Sequence, residues 1–362
     1  MTSTHTLRSE GGFTLVELMI AALITTVIMG VAFSTFDNAL TLNDSVLSLA
    51  DSSQNLRAGT NTLVRDLMQA GRNLNMPNAI PIPSGAGSAA IYRPSPPGKT
   101  YFFNNTTAVS ISPIVTGASL GPTVDGRTTD IATILMDDPY LGDLSVSPFG
   151  SAGTVAKWSA DGSSFNVGRQ AANLLWLQGD ATNEIPAVKV GDLMYMLGSN
   201  ATIETVTRVD GSNVYFEPND PFNFNQPGAT IAGNITQVLN PPVVVSVRRI
   251  YMYSYWVAEE TVGVPRLMRQ LNMYTPTALA GVVEDLDLTY DLVDGVTNPV
   301  NINDVPYTAP NGDIFTAGQM RKVNVHVGVR SETKSKKSND YLRNHVSTVV
   351  ALRNFAYVDK YK

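Results

Sequence analysis

Glu17 is the one formal charge between Phe13 and Phe36, and it sits near the front of the stretch GGFTLVELMIAALITTVIMG, residues 11–30. A carboxylate inside hydrocarbon costs roughly 2.5–3.5 kcal/mol on insertion scales, less near the interface, so a group of this kind is kept for a reason. Its chemistry is ionic: it can answer a cation. A second set of acids lies in VEDLDLTYDLVDG, where Glu284, Asp285, Asp287, Asp291 and Asp294 fall close together and Asp285 and Asp287 share one face of a strand. Calcium takes six to eight oxygens, so Glu284, Asp285 and Asp287 are the calcium candidates; with no D-x-D-x-D-G loop, solvated sheet residues are the plainer reading. The histidines are His5, His326 and His345. They form no H-E-x-x-H, although His326 and His345 can meet across a strand pair, and neither a Gly-rich phosphate loop nor G-x-S-x-G occurs. SETKSKKSND (331–340), with Lys334, Lys336 and Lys337, reads as a charged hairpin tip. Tyr251, Tyr253, Tyr255 and Trp256 are either a partner patch or the lining beneath a loop or helix. No catalytic constellation stands out, and neither an enzyme nor a cofactor is expected.

Glu17 must be positioned by a helix. Leu18 to Phe36 is nineteen residues without a formal charge, and about 20 apolar residues cross a bilayer. A cleaved secretory signal is one reading, since Gly30-Val31-Ala32 is a small-x-small triplet; against it stand a leader with one Arg offset by Glu10 and an acid inside the apolar run. Beyond the membrane the helical pattern continues. Leu42, Leu49, Leu56 and Leu63 recur every seven residues, with Val46, Thr60, Leu67 and Leu74 four further on. This stripe is expected to contact its own domain, or else other subunits. Asn75 and Pro77 predict the end of the helix. Continuous from Phe13 to Asn75, it measures roughly 95 Å, with Gly30, Gly59 and Gly71 as places to bend.

After a Pro/Gly/Ser-rich connection the pattern becomes β: 129–138, 171–179, 190–199, 201–218, 243–260, 266–274, 282–294, 321–332 and 342–355. Asp210-Gly211 signals a hairpin, and Val323, Val325, Val327 and Val329 alternate strictly. The organisation expected is a leader over 1–12, a helix over 13–76, a connection over 77–100 and a β-rich domain over 101–362. Net charge is −6, which argues against nucleic-acid coating. The absence of cysteine excludes disulfides, thiolate metal sites and a cysteine nucleophile, without settling the compartment.

GGFTLVEL resembles the processing site of the type IV pilin family: a short polar leader ending in Gly12, an aromatic Phe13, then Thr14-Leu15-Val16-Glu17. The resemblance implies that a membrane prepilin peptidase recognises Gly11, Gly12 and Phe13, cuts after Gly12, and methylates the new amine of Phe13. Glu17, beside Thr14, would then pair with a cationic N-terminus, typically a neighbouring subunit's; an unpaired buried ammonium is expensive. QNLRAGTNTLVRDLMQAGRN, GDLMYM, PRLMRQ, VEDLDLTYDL and STVVALRNF resemble, in that order, PilW-type minor pilins. That implies an α+β lollipop, a long N-terminal helix packed on a large mainly antiparallel β domain. It also implies an inner-membrane protein with a periplasmic domain that joins other minor and major pilins at a pilus tip, often with a PilY-type adhesin, and without nucleic acid. The alternatives are a GspJ-like pseudopilin of type II secretion and a membrane-anchored periplasmic enzyme or binding protein.

Overall fold

A computed structural model describes residues 12–74, 79–103, 110–148, 153, 155–226, 228, 231–240, 242–261, 263–335 and 339–355. The fold is α+β: a long N-terminal apolar helix, α1 (Leu15–Gln69), followed by a large, mostly antiparallel β domain. The chain divides into two compact units, Met1–Asp51 with Ser331–Leu342, and Ser52–Arg330 with Arg343–Lys362.

In the first unit the helix presents its apolar side chains to the outside; Leu15, Leu42 and Val46 are 76%, 63% and 64% exposed. Its hydroxyls are satisfied locally. Thr25, Thr26 and Thr35 each donate 2.8 Å bonds to the carbonyl four residues back, which removes the cost of a free hydroxyl in an apolar segment. Further along, Thr41, Ser45 and Ser48 are half-buried and line a cavity of about 110 Å³ with Thr333, Lys334, Ser335 and Leu342. Lys334 lies over the Tyr341 ring at 5.4 Å. Lys336 and Lys337 lie outside the described residues.

The second unit begins where the helix becomes amphipathic. Besides several two-residue strands, its strands are β1 (Ala132–Asp137), β2 (Leu144–Ser147), β3 (Ala156–Trp158), β4 (Ser164–Asn166), β5 (Leu193–Leu197), β6 (Ala201–Thr205), β7 (Arg208–Asp210), β8 (Asn213–Tyr215), β9 (Val245–Thr261), β10 (Val264–Leu271), β11 (Thr277–Ala280), β12 (Val283–Leu292), β13 (Met320–Arg330) and β14 (Arg343–Ala351). β9 is the spine of the larger sheet: its first part pairs with β5 and β2, its second with β1 and β10. A path β6-β5-β9-β2-β3-β4-β8-β7 runs through that sheet, and β2 with β3 is a parallel pair among antiparallel ones. The expected Asp210-Gly211 hairpin joins β7 and β8, with Gly211 at φ +58°. The smaller sheet has the order β12-β13-β14. Val323, Val325, Val327 and Val329 of β13 all face the core, as their alternation predicts.

The main core lies between the smaller sheet, β1, β9, β10 and residues 56–70 of the chain. Leu56, Leu63 and Leu67 are buried there, so the leucine stripe divides: its later members are sealed into the core, while Leu42 and Val46 are exposed. Asp66, buried in the same face, accepts a 2.5 Å bond from the Tyr255 hydroxyl and bonds of 2.9 and 2.6 Å from the Arg269 guanidinium. That guanidinium stacks on Tyr253 at 3.6 Å. Tyr255 is buried against α1, Tyr251 and Tyr253 pack on the same core, and Trp256 is buried in a small cluster on the other face with Ile131 and Met268, so the tyrosine strand lines the underside of a helix and the partner-patch reading fails.

Two expectations are corrected. α1 ends at Gln69, short of Asn75: Gly71 adopts φ +73°, the left-handed conformation that closes helices, and its N–H donates to the Leu135 carbonyl at 2.9 Å. Asn75 and Pro77 lie outside the described residues. Residues 171–179, read as a strand, form a helix, α2 (Ala171–Gln178), closed by Gly179 at φ +66°. Its run of apolar residues is too short for periodicity to tell strand from helix, and α2 buries Trp176 in a second core. Gly59 lies inside α1 against β11. A Cβ there would meet the Ala280 Cβ at 2.7 Å, so glycine permits close approach of α1 to β11.

Candidate functional site at the start of the N-terminal helix

Thr14 and Glu17 build the helix start together. The Thr14 backbone N–H and hydroxyl each donate to Glu17 Oε2 at 2.9 Å, and the Glu17 N–H donates to Thr14 Oγ1 at 3.3 Å. This is a capping box: Thr14 is the N-cap, Glu17 the third helical residue, and each side chain satisfies the other's otherwise orphaned N–H. A carboxylate in the first turn also complements the helix dipole. The acid is therefore provided for within its own chain. T-x-x-E ahead of an apolar run is the signal of such a box, and it was legible at Thr14–Glu17. Sequence reasoning gave Glu17 an intermolecular partner and missed this local one.

Gly12 and Phe13 precede the helix without regular structure and are exposed, Phe13 at 88%. Nothing lies within 4 Å of where a Gly12 Cβ would be, so the neighbourhood of this glycine makes no steric demand for it. An unstructured, accessible backbone followed at once by a capped helix is a geometry a peptidase can engage. Gly11 lies outside the described residues.

The other sequence-selected acids are not gathered into one site. A register shift in β12 between Val283 and Asp285 turns Glu284 and Asp285 to separate partners. Glu284 accepts a 2.8 Å bond from Arg343 Nε, and Asp285 one of 2.9 Å from Arg127. Asp291, on β12, accepts bonds from the Asn301 N–H and from the Asn324 side-chain amide, and Asp294 accepts bonds in its own turn from the Val296 and Thr297 N–H groups. Asp287 is exposed. Among the described residues no group of three or more His, Asp and Glu side chains is arranged to hold a metal ion. The calcium candidates are answered by guanidinium groups or water.

A polar hollow of about 370 Å³ does lie beside them, lined by Ser119, Arg127, Asp130, Asp285, Asp287 and Asn303. Asp130 accepts 2.8 Å bonds from the Ser119 and Leu288 N–H groups, yet burial outweighs these, and with the negative charge of Asp287 and Asp285 it pushes this carboxyl up to about 6. Sequence reasoning missed Asp130, because Leu288, Asp287 and Asp285 come to it from more than 150 residues away.

Against protein families, residues 7–33 match the prokaryotic N-terminal methylation motif. No curated protein and no solved structure matches the chain. That motif with the apolar helix behind it is the N-terminus of prepilin-like proteins, and it supports a type IV pilin-like or pseudopilin-like protein. It implies processing by a prepilin peptidase and assembly with other pilin-type subunits. The helix is long and apolar enough for membrane anchoring.

Proposed function

We propose that this protein is a PilW-type minor pilin, a structural component of the complex that primes a type IV pilus and stays at its tip. The observation that carries this reading is the motif GGFTLVEL at the mouth of a 55-residue helix whose apolar side chains are exposed from Leu15 to Leu47. In this account a prepilin peptidase recognises Gly11, Gly12 and Phe13, cuts after Gly12, and the Phe13 amine is methylated. The cut creates an ammonium next to Thr14, one helical turn from Glu17, roughly 6 Å along the axis. Glu17 then exchanges its local bonds to Thr14 for a neighbour's N-terminal ammonium as the helix leaves lipid for a helical bundle. Both surroundings are apolar, so the charge pair and close helix packing carry the specificity of that transfer. Before assembly the protein sits in the inner membrane with its β domain in the periplasm. A domain of this size is bulky to repeat along a thin shaft, which supports a tip position beside other minor and major pilins and a PilY-type adhesin.

Glu17→Ala tests the role. The expected outcome is normal membrane insertion with loss of the protein from sheared filaments, read by immunoblot of the two fractions; wild-type recovery in filaments would refute it.

A further inference from the structure

The solvent face of the smaller sheet brings together the two histidines of the β domain. In register, Asp287, His326 and Ser347 form one row across β12, β13 and β14, and Asp285, Gly328 and His345 form the next. His326 and His345 are diagonal neighbours, and their ring centres stand 5.5 Å apart with a 34° tilt. Gly328 contributes no side chain between Asp285 and His345, and Asp285 leans over it, its Cβ 2.9 Å from where a glycine Cβ would be. The face above Gly328 is thus walled by two imidazoles and a carboxylate, with nothing projecting from its floor.

We propose that His326 and His345 bind a divalent first-row transition metal ion of the zinc, copper or nickel class through one ring nitrogen each, with water completing the coordination. Imidazole is the common protein ligand for these ions. Two imidazoles on one tetrahedral ion, at metal–nitrogen distances of about 2.0–2.1 Å, hold their ring centres roughly 5 Å apart. The pair stands close to that spacing. Ser347 Oγ lies 2.8 Å from His326 Nδ1 and can accept its proton, which leaves the Nε2 lone pair for a metal; ligating histidines are usually oriented by such an outer bond. Nε2 stands 3.8 Å from Asp285 Oδ2, too long for a hydrogen bond, so the carboxylate does not hold this nitrogen. Arg127 bonds the same oxygen, so Asp285 is already answered and the two imidazoles are the protein ligands of the proposed site. His345 is exposed and His326 half-exposed, so an ion reaches both without the core opening. A plain cross-strand contact between two surface histidines is the competing account, and it needs no ligand.

The test is a titration of the full chain in detergent micelles with Zn²⁺ and Cu²⁺, with His5→Ala in every protein so that the third histidine cannot contribute. Binding is followed by calorimetry and, for Cu²⁺, by the nitrogen couplings in its electron paramagnetic spectrum. The expected result is one ion bound through two nitrogens. His345→Ala and His326→Ala each weaken binding at least tenfold and remove one nitrogen coupling, and Ser347→Ala weakens it about tenfold through the outer bond. Since His345 is exposed, an unchanged urea midpoint will show that its variant is folded. Failure of the parent chain to bind either ion, or undiminished binding by folded His345→Ala, would overturn the proposal.

Discussion

The two halves of α1 have similar leucine spacing and opposite surroundings. From Leu15 to Leu47 the apolar side chains are exposed, whereas Leu56, Leu63 and Leu67 are sealed into the main core. Polar groups differ in the same way. Asp44 is exposed, and the hydroxyls of Thr25, Thr26 and Thr35 bond their own helix; Asp66 is buried and bonds Tyr255 and Arg269, nearly 200 residues away. A helix half whose polar groups are satisfied internally can change its apolar surroundings, from lipid to other helices, without leaving a polar group bare. A half whose polar groups are satisfied by the domain is fixed to it. The difference teaches that periodicity marks an apolar stripe but not what covers it.

The largest effect expected from breaking this contrast is at Asp66. Asp66→Ala leaves Arg269 half-buried without its carboxylate and should destabilise the β domain by about 3–5 kcal/mol, as loss of one partner of a buried pair does. Asp44→Ala should stay within about 0.5 kcal/mol. Urea unfolding followed by tryptophan fluorescence separates the two, and equal costs would erase the distinction between the halves.

Glycine gives a smaller effect with opposite signs. At Gly59 an added methyl meets Ala280 at 2.7 Å, and Gly59→Ala should cost about 1–3 kcal/mol by overpacking. Nothing lies within 4 Å of a Gly30 Cβ, and there the same change should favour the helix by about 1 kcal/mol. Thermal melts by circular dichroism will read the first, and helix content in micelles the second.

A further effect concerns pH and belongs to the domain alone. Burial raises the Asp130 carboxyl from 3.8 to about 6, so the folded state holds its proton more tightly than the unfolded chain. That contribution to stability is complete below pH 4 and disappears as pH rises through 6. The urea midpoint of the wild type should therefore carry a downward component between pH 4 and 6 that is missing in Asp130→Asn. Identical pH profiles would contradict it.

Much of the fold was legible because it is written in local pattern: the apolar run of α1, the alternating valines of β13, the Asp210-Gly211 turn. The end of α1 was misplaced because a proline signal at Pro77 outweighed Gly71, whose closing role depends on β1 supplying the Leu135 carbonyl. α2 was misread because a short apolar run has no period of its own. At the candidate site, Glu17 was legible from its apolar company, and its bond to Thr14 was legible but passed over. The answers to Glu284 and Asp285 were not, since Arg343 and Arg127 come from distant segments that only the tertiary fold brings near.

The claim that residues 11–17 are a processing signal and an assembly joint is tested most directly by the mass of the mature chain's N-terminal peptide. The account predicts a chain that begins at Phe13 and carries one added methyl group on its amine. A chain that still begins at Met1, or one that begins after Ala32 as a cleaved secretory signal would leave it, would contradict the account.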